Sequence, residues 1–170
     1  MDFSKAKNKK DEWYTPESAI LPILKYLKKG STIWCPFDKE ISNYVKVLKE
    51  KGFTVIYSHI EEGKDFFEYE PKEYYDYIVS NPPFSLKNKV FKRVFELNKP
   101  FALIMNINGL FDSKIRWSMF SENDFSLAYI KGRVNYMEEY GVQGKSSPPF
   151  QSAYVCKGLT KEKLVLLDAS

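Results

Sequence analysis

The sequence contains few cysteine, histidine and arginine residues, and these shortages exclude several kinds of site. Its 170 residues include two cysteines, one histidine and three arginines. Cys35 and Cys156 lie far apart, without the paired spacing of a disulfide framework or a zinc site, so we expect neither a disulfide nor a metal. A reducing cytoplasm is the expected compartment.

Long apolar runs and a strong excess of one charge are also missing. No run approaches the roughly 18 residues of a membrane span, and the N-terminus has no apolar signal-peptide core. We therefore expect neither membrane insertion nor export. The 26 Lys and Arg residues exceed the 22 Asp and Glu residues, giving a net charge of +4. This mild excess is compatible with a nucleic-acid partner without demonstrating one.

Apolar and aromatic side chains, by contrast, are abundant. The chain is 44% apolar and contains 13 Phe and 12 Tyr, which is enough for a substantial core, and its length favours one domain. Residues 1–12 include four lysines and almost no apolar side chain, which predicts a flexible, solvated basic arm. The predicted organisation is therefore an arm, 1–12, followed by a single domain, 13–170.

Short apolar runs alternate with segments of helical periodicity through the first two thirds of the chain. Thr15-Pro16 predicts the start of a helix, and Pro22 in its second turn predicts an irregular early part. Apolar positions from Ile41 to Leu48 and from Val90 to Leu97 predict two more helices. Strands are predicted at 32–35, 53–57, 75–79 and 101–105. This alternation predicts an α/β doubly wound domain with parallel crossovers.

The last third of the chain follows a different pattern. Residues 128–136 and 152–156 predict two more strands in an antiparallel hairpin. The segment between them, 141–149, is rich in Gly, Ser and Pro and predicts a long, mobile connection. The expected sheet is therefore mixed, with a parallel core and an antiparallel C-terminal hairpin.

Unusual residues follow the predicted strands, where ligands bind in open parallel α/β sheets. After the third strand, Asn81 precedes two prolines that cannot continue a strand. The Asn81 side-chain oxygen and the Pro82 carbonyl can each accept a hydrogen from one NH₂ group, which frees the nitrogen lone pair for attack. Phe84 would stack on a planar base flipped out of its helix. The plainer interpretation is an ordinary turn with Phe84 in the core. The position at a strand end favours a catalytic site over that interpretation.

Asn81-Pro82-Pro83-Phe84 resembles the catalytic motif of amino-group methyltransferases that use S-adenosylmethionine. Three further segments are similar to those of phage-type DNA N6-adenine methyltransferases and occur in the expected order: 13–16, 63–66, and 132–136 with 148–153. The resemblance covers roughly residues 12–156. It implies a Rossmann-like methyltransferase fold, S-adenosylmethionine as cofactor, and the N6 amino group of adenine in DNA as substrate. A phage-encoded protein of this kind would act in the cytoplasm of a bacterial host.

The resemblance also implies roles for individual residues. An aromatic residue before Thr15-Pro16 packs over the methionine end of the cofactor, Asp65 accepts from its adenine amino group, and Phe66 stacks on the adenine ring. The implied catalytic residues are Asn81, Pro82, Pro83 and Phe84. The implied cofactor-binding residues are Tyr14, Thr15, Cys35, Pro36, Phe37, Glu40, His59, Asp65, Phe66 and Asn81. The chain has no room for a separate target-recognition domain, so a protein partner that supplies one is a further expectation.

The sequence departs from the family pattern at two strand ends. The family has an acidic residue, Pro and a glycine-rich turn after its first strand; here Cys35 occupies the acidic position, and Lys39 and Ile41 stand near the glycine positions. We expect Ile41 to obstruct a cofactor unless the loop takes another path. His59 stands where the family has an acid for the ribose hydroxyls; it is either a hydrogen-bond acceptor there, aided by Glu61 or Glu62, or a surface residue.

The segment between His59 and Asp76 is also a departure. Its 16 residues are too few for the helix, strand and second helix that full-size members of the family have there, and this predicts a reduced sheet.

Other functions also remain open. The missing glycines favour a catalytically inactive protein of the same fold that binds nucleic acid or a protein partner, whereas the intact Asn81 motif favours an enzyme. The same motif serves any planar NH₂ group, so adenine in RNA or a protein glutamine are alternative substrates. Lysines of the arm and around Lys145 are the expected phosphate contacts.

Overall fold

A computed structural model describes residues 14–139, 142–143 and 148–168 of the chain. The predicted arm, Trp13, Lys145 and most of the predicted mobile connection lie outside the described residues. Nine strands are described: β1 (Thr32–Cys35), β2 (Thr54–Tyr57), β3 (Tyr77–Ser80), β4 (Phe101–Asn106), β5 (Ser126–Ile130), β6 (Met137–Glu139), β7 (Val142–Gln143), β8 (Ser152–Lys157) and β9 (Leu164–Leu167). Helix α1 (Glu17–Ile20) precedes β1, and helices α2 (Asn43–Glu50), α3 (Lys87–Leu97) and α4 (Lys114–Glu122) lie between strands.

Seven of these strands form one mixed sheet, in the order β2-β1-β3-β4-β8-β5-β9, and the predicted fold class is confirmed. The strands β2, β1, β3 and β4 are parallel neighbours, which gives the predicted parallel core. Strand β8 lies antiparallel between β4 and β5, so the predicted antiparallel pairing of the C-terminal strands is also confirmed. The carboxyl ends of β1, β2, β3 and β4 therefore meet at one edge of the sheet.

The edge strand β9 was not predicted from the sequence. It pairs in parallel with β5 and exposes Leu164 and Leu166. Such an exposed apolar run gives no alternating pattern from which a half-buried strand could be recognised. The segment between β2 and β3 is short, since residues 58–76 contain a single 3₁₀ turn, Ile60–Glu62, and no strand. The main sheet nevertheless has seven strands, with β9 at its other edge.

The helices follow the sequence pattern with two differences. Helix α1 is one turn long and continues as a 3₁₀ helix over Leu21–Tyr26, because Pro22 cannot donate an α-helical hydrogen bond; the predicted irregularity is confirmed. Helix α2 begins at Asn43, so Ile41 precedes it and is not part of its apolar face. None of the described helices has both the length and the apolar character needed to cross a membrane.

Two hydrophobic clusters of buried side chains pack the sheet and fix its carboxyl edge. One includes Ile23, Tyr44 and Tyr154, and the other is centred on aromatic residues such as Trp34 and Phe91. Phe84 packs against both clusters. The loop after β3 is therefore anchored between the two parts of the core.

Candidate active site at the carboxyl edge of the sheet

The loops after β1 and β3 are joined by a buried hydrogen-bond cluster. The Ser80 hydroxyl, at the end of β3, donates to Oδ2 of Asp38 in the loop after β1. The backbone N–H of Phe37 in turn donates to Ser80 Oγ over 3.3 Å. This arrangement holds the start of the Asn81-Pro82 turn against the loop after β1.

Asp38 is the central residue of this cluster, and sequence reasoning did not select it. Its side chain is 3% exposed. Burial raises the pKa of the Asp38 carboxyl to about 6, although hydrogen bonds from Ser80 and Ser42 favour the ionised form and limit the rise. The only signal in the sequence was an acid followed by a serine four residues later, a spacing that occurs in many loops.

The loop after β1 is shaped by side-chain hydrogen bonds in place of glycines. The N–H of Lys39 donates to Ser42 Oγ over 3.0 Å, and the N–H of Asp38 donates to the Ser58 carbonyl after β2 over 3.1 Å. Ile41 is 58% exposed, so its side chain lies outside the core; whether it obstructs a cofactor stays a prediction. The absence of glycine here is therefore compatible with an ordered loop.

The structure corrects the expected position of Cys35. Its side chain is fully buried in the core, and burial together with the nearby Asp38 charge raises the pKa of the thiol well above its usual value. Cys35 therefore does not present an acidic-type group to the edge. Pro36 is buried as well, Phe37 is partly exposed, and Glu40 lies exposed on the same loop.

The N-terminal motif lies against the Asn81 turn. Asn81 Nδ2 donates to the hydroxyl of Thr15 over 3.0 Å, and Thr15 is almost completely buried. Asn43, at the start of α2, donates from Nδ2 to the Thr15 carbonyl, also over 3.0 Å. Tyr14 forms an isolated antiparallel bridge with Met137. Two segments 66 residues apart in sequence are thus in direct contact at the predicted site.

The residues that follow Asn81 place an aromatic ring beside the turn. Pro82 is buried and Pro83 is partly buried, and Pro83 precedes a short 3₁₀ helix, Phe84–Leu86. The Phe84 ring is partly buried and packs edge-on against Tyr136 at 6.2 Å and Phe150 at 5.7 Å between ring centroids.

The late segments of the resemblance therefore meet the Asn81 motif in space. Tyr136 also hydrogen-bonds through its hydroxyl to Ser152 over 2.8 Å. Gln151 donates from Nε2 to the carbonyls of Ile130 and Gly132, which closes the end of β5 onto β8. Residues 132–136 and 148–152 thus form one wall beside Phe84.

At the end of β2, His59 acts as a helix cap. Its Nδ1 accepts a hydrogen bond from the N–H of Glu61 over 3.1 Å. A neutral ring with Nδ1 as acceptor carries its proton on Nε2, so the second ring nitrogen is a donor. The cap occupies Nδ1, and the expected contact of His59 with a ribose hydroxyl stays a prediction. Glu61 also forms an ion pair with Lys39, which links the loops after β2 and β1.

The expected adenine-binding pair is only partly accessible. Asp65 is partly exposed, and its Oδ1 accepts from the N–H of Phe67 over 3.0 Å. Phe66 is 2% exposed, and its ring packs against Phe37 at 4.9 Å and Trp34 at 5.6 Å between centroids. The expectation that Phe66 stacks on an adenine is therefore not met in this structure, because the ring is a core residue.

The described residues contain no cluster of three or more His, Cys, Asp or Glu side chains that could hold a metal ion. What the edge does contain is the pair Asn81 and Thr15, the partly exposed rings of Phe37 and Phe84, and the polar residues His59 and Asp65. These groups can accept or donate hydrogen bonds and pack against flat rings. They are suited to bind an uncharged planar group at the end of β3.

Comparisons with known proteins bear on the fold. No protein-family model matches the sequence, and no curated protein matches it. Among solved structures, 92% of this chain matches 47% of the methyltransferase subunit of a type I restriction-modification system from Streptococcus thermophilus, with a TM-score of 0.55 and 15% identity.

Two other structures match less well. A modification subunit of a putative type I restriction enzyme from Vibrio vulnificus matches 89% of this chain over 45% of its own length, with a TM-score of 0.47 and 11% identity. A predicted O-methyltransferase from Agrobacterium tumefaciens has a TM-score of 0.45 at 10% identity, over 89% of this chain and 85% of its own. The chain thus spans about half the length of the two restriction-modification subunits. At these identities the likeness shows the fold, which is a Rossmann-like methyltransferase fold.

Proposed function

We propose that this protein transfers the methyl group of S-adenosylmethionine to the N6 amino group of adenine in DNA. The observation that carries the proposal is the contact between Asn81 and Thr15, which fixes the Asn81 amide at the carboxyl end of β3. The methyltransferase fold supports it. The structural neighbour from Streptococcus thermophilus is a subunit of a restriction-modification system, which supports DNA as the substrate. The proposal includes the place of action, which is the cytoplasm of a bacterial host cell if the protein is encoded by a phage.

Asn81 and Pro82 would position the substrate amino group. Because Nδ2 of Asn81 donates to Thr15, the amide cannot turn freely, and its oxygen is held on the side opposite to Thr15. That oxygen and the Pro82 carbonyl would each accept one hydrogen of the NH₂ group. The nitrogen lone pair then points toward the methyl donor, with attack geometry set mainly by positioning.

Phe84 would hold the base, with Pro83 setting the approach of its ring. Tyr136 and Phe150 contact Phe84 edge-on and so restrict its rotation. A base stacked there would have to leave its double helix, since its amino group is otherwise paired. The new N–C bond would replace the methyl–sulfur bond of the donor, whose electron pair would remain on sulfur. The methylated nitrogen would then lose one of its two hydrogens as a proton to solvent.

The residues at the edge fit a cofactor of this kind in their donor and acceptor chemistry. Thr15 lies beside Asn81, His59 carries a donor at Nε2 after β2, and Asp65 keeps a partly exposed carboxylate. Phe37 replaces Phe66 as the ring with accessible surface. When bound, S-adenosylmethionine supplies an electrophilic methyl group on a sulfonium. Tyr14 and Glu40 complete the set of residues that we propose to line its site.

The proposal is tested by measuring cofactor binding and methyl transfer separately. Calorimetric titration with S-adenosylmethionine should give micromolar affinity. Transfer of a labelled methyl group to DNA should then yield N6-methyladenine. The Asn81→Ala variant should lose about 10²–10³-fold in turnover, as expected for removal of one preorganised polar group, and should bind the cofactor with nearly unchanged affinity.

The matched control is Asn123→Ala, at the end of α4, where the side chain donates to the Met119 carbonyl and lies away from the Asn81 turn. This variant should transfer at the wild-type rate. Absence of any heat on titration would contradict the proposal and leave a non-catalytic protein of this fold. Transfer to RNA or to a protein glutamine, with none to DNA, would overturn the choice of substrate and retain the chemistry.

A further inference from the structure

A cavity of about 320 Å³ lies beside Phe84. It is lined by Phe84, Lys87, Lys89, Asn88 and Arg116, together with Ser85 and Leu86. Among these residues, only Phe84 has a role in the proposed chemistry. Three of the lining side chains are basic, and none is acidic.

This cavity lies in the most basic part of the sequence. Residues 84–116 contain seven Lys and Arg and two Asp and Glu, a net charge of +5. The whole chain has a net charge of +4, so the other residues together contribute −1. The positive charge of the protein is therefore concentrated in the segment that follows the Asn81 turn.

Arg116 holds this surface in a fixed shape. Its guanidinium donates to Asn88 Oδ1 and to the carbonyls of Gly109 and Leu110, each over 2.8 Å. These bonds join α4 to the first turn of α3 and to the loop after β4. Lys87 also approaches the Asn108 carbonyl at 3.4 Å. The cationic groups at the cavity are thus presented by two connected helices.

Helix α4 adds exposed apolar side chains next to Arg116. Trp117 is 61% exposed and Ile115 is nearly as exposed, on a helix that begins with Lys114. The Trp117 ring contacts Phe111 edge-on at 6.3 Å between centroids. A large exposed aromatic ring among lysines is typical of surfaces on which nucleic-acid bases stack.

We propose that residues 84–89 and 114–117, which we call the basic cleft, bind a single strand of DNA next to the target adenine. Lys87 and Lys89 contact its phosphates, and Trp117 stacks on a neighbouring base. The choice of DNA rests on the proposed function, whereas the preference for a polyanion with planar bases rests on the charge and the exposed ring. A protein partner would need acidic groups opposite the lysines and is the alternative outcome of the test.

The test measures binding of a fluorescein-labelled, single-stranded DNA of about 16 nucleotides by fluorescence anisotropy, without cofactor. The Lys87→Gln/Lys89→Gln double variant should bind about tenfold more weakly at low salt. The slope of log K against log salt concentration should become smaller by about 1.4, since each single-strand phosphate contact contributes about 0.7. Trp117→Ala should weaken binding about tenfold with an unchanged slope, because stacking releases no counterions.

Matched controls lie at the opposite edge of the sheet. Lys28→Gln/Lys29→Gln changes two exposed lysines just before β1, and Tyr74→Ala removes an aromatic side chain that is 72% exposed, before β3. Both should bind DNA like the wild type. Circular dichroism of every variant shows that changes in binding are local.

The outcomes separate this inference from the proposed function. DNA binding that depends on the basic cleft, without any methyl transfer, would support the cleft and contradict the enzyme. Methyl transfer with normal DNA affinity in the cleft variants would overturn the cleft and retain the enzyme. Absence of DNA binding by the wild type, or equal weakening by the control variants, would also overturn the inference, including in favour of a protein partner at this surface.

Discussion

The loops after β1 and β3 lie side by side at the carboxyl edge of the sheet, and they differ in what they expose. The loop after β1 has buried polar groups, Asp38 and Ser42, and it follows the buried Cys35 at the end of the strand. The loop after β3 leaves Asn81 partly exposed, beside a stiff pair of prolines. Ser80 connects the two loops, because its hydroxyl donates to Asp38 and accepts from the Phe37 N–H.

The two loops are held in shape by different means. In the loop after β3, two prolines fix the backbone, and Asn81 is partly exposed. In the loop after β1, the shape is fixed by the buried Asp38 carboxyl, which accepts from Ser80 and Ser42. Asp38 thus orders the loop after β1 from within, at the cost of burying a carboxylate.

The largest predicted effect is on the pH dependence of stability, and it is expected when the buried Asp38 carboxyl is replaced by an amide. Because the folded pKa of Asp38 is raised from 3.8 to about 6, the folded state binds its proton more tightly than the unfolded state does. The free energy of unfolding should therefore fall as the pH rises from about 4 to about 6. At 1.36 kcal/mol per pH unit, Asp38 accounts for about 3 kcal/mol of this fall.

Asp38→Asn should remove that part of the pH dependence while keeping an acceptor for Ser80. Urea unfolding at pH 4, 5, 6 and 7 measures it, as the difference in slope between variant and wild type. Glu50→Gln, at the exposed end of α2, is the control and should follow the wild-type curve. Equal pH profiles for Asp38→Asn and the wild type would mean that Asp38 is not buried as a carboxylate.

Much of the fold and part of the site could be predicted from the sequence. The parallel strands were recognisable because each is a short apolar run between helical patterns. The Asn81 turn was recognisable because two consecutive prolines after such a run have few structural explanations. Its contact with Thr15 was not predicted, because no local pattern indicates it and the resemblance assigned Thr15 to the cofactor.

The parts that were not predicted depend on contacts between distant segments. The buried Asp38 carboxyl accepts a hydrogen bond from Ser80, which lies 42 residues later in the chain, and no local sequence pattern indicates such a pair. Phe66 was expected to face a ligand, but Trp34 and Phe37 surround its ring in the core. The direction in which a side chain points in a loop is set by packing, whereas strands and helices are encoded by periodicity.

An intermediate effect is expected at the contact that fixes the exposed loop. Thr15→Val keeps the size of the side chain and removes the hydroxyl that accepts from Asn81. Loss of one such hydrogen bond is worth about 1–1.5 kcal/mol, so kcat for methyl transfer should fall about tenfold. KM for DNA should change little, because the base and phosphate contacts remain.

Thr15→Ser is the matched variant for this contact, since it restores the hydroxyl without the methyl group. It should recover most of the lost kcat. A fall in kcat for both variants alike would indicate that Thr15 acts through packing, and a rise in KM for the cofactor with constant kcat would place Thr15 in cofactor binding alone. The split between kcat and the two KM values is therefore the deciding measurement.

The smallest effect is expected at the outer face of the loop after β1, where Lys39 pairs with Glu61. Both side chains are more than a third exposed, so the pair is screened by solvent and should contribute about 0.2–1 kcal/mol. A double-mutant cycle with Lys39→Met and Glu61→Gln, measured by urea unfolding, gives this coupling, which should shrink in about 1 M NaCl. A larger coupling free energy would mean that the surface ion pair stabilises the loop as strongly as the buried Asp38 carboxyl does. That result would shift the explanation of how this glycine-free loop is ordered from its buried carboxyl to its surface charges.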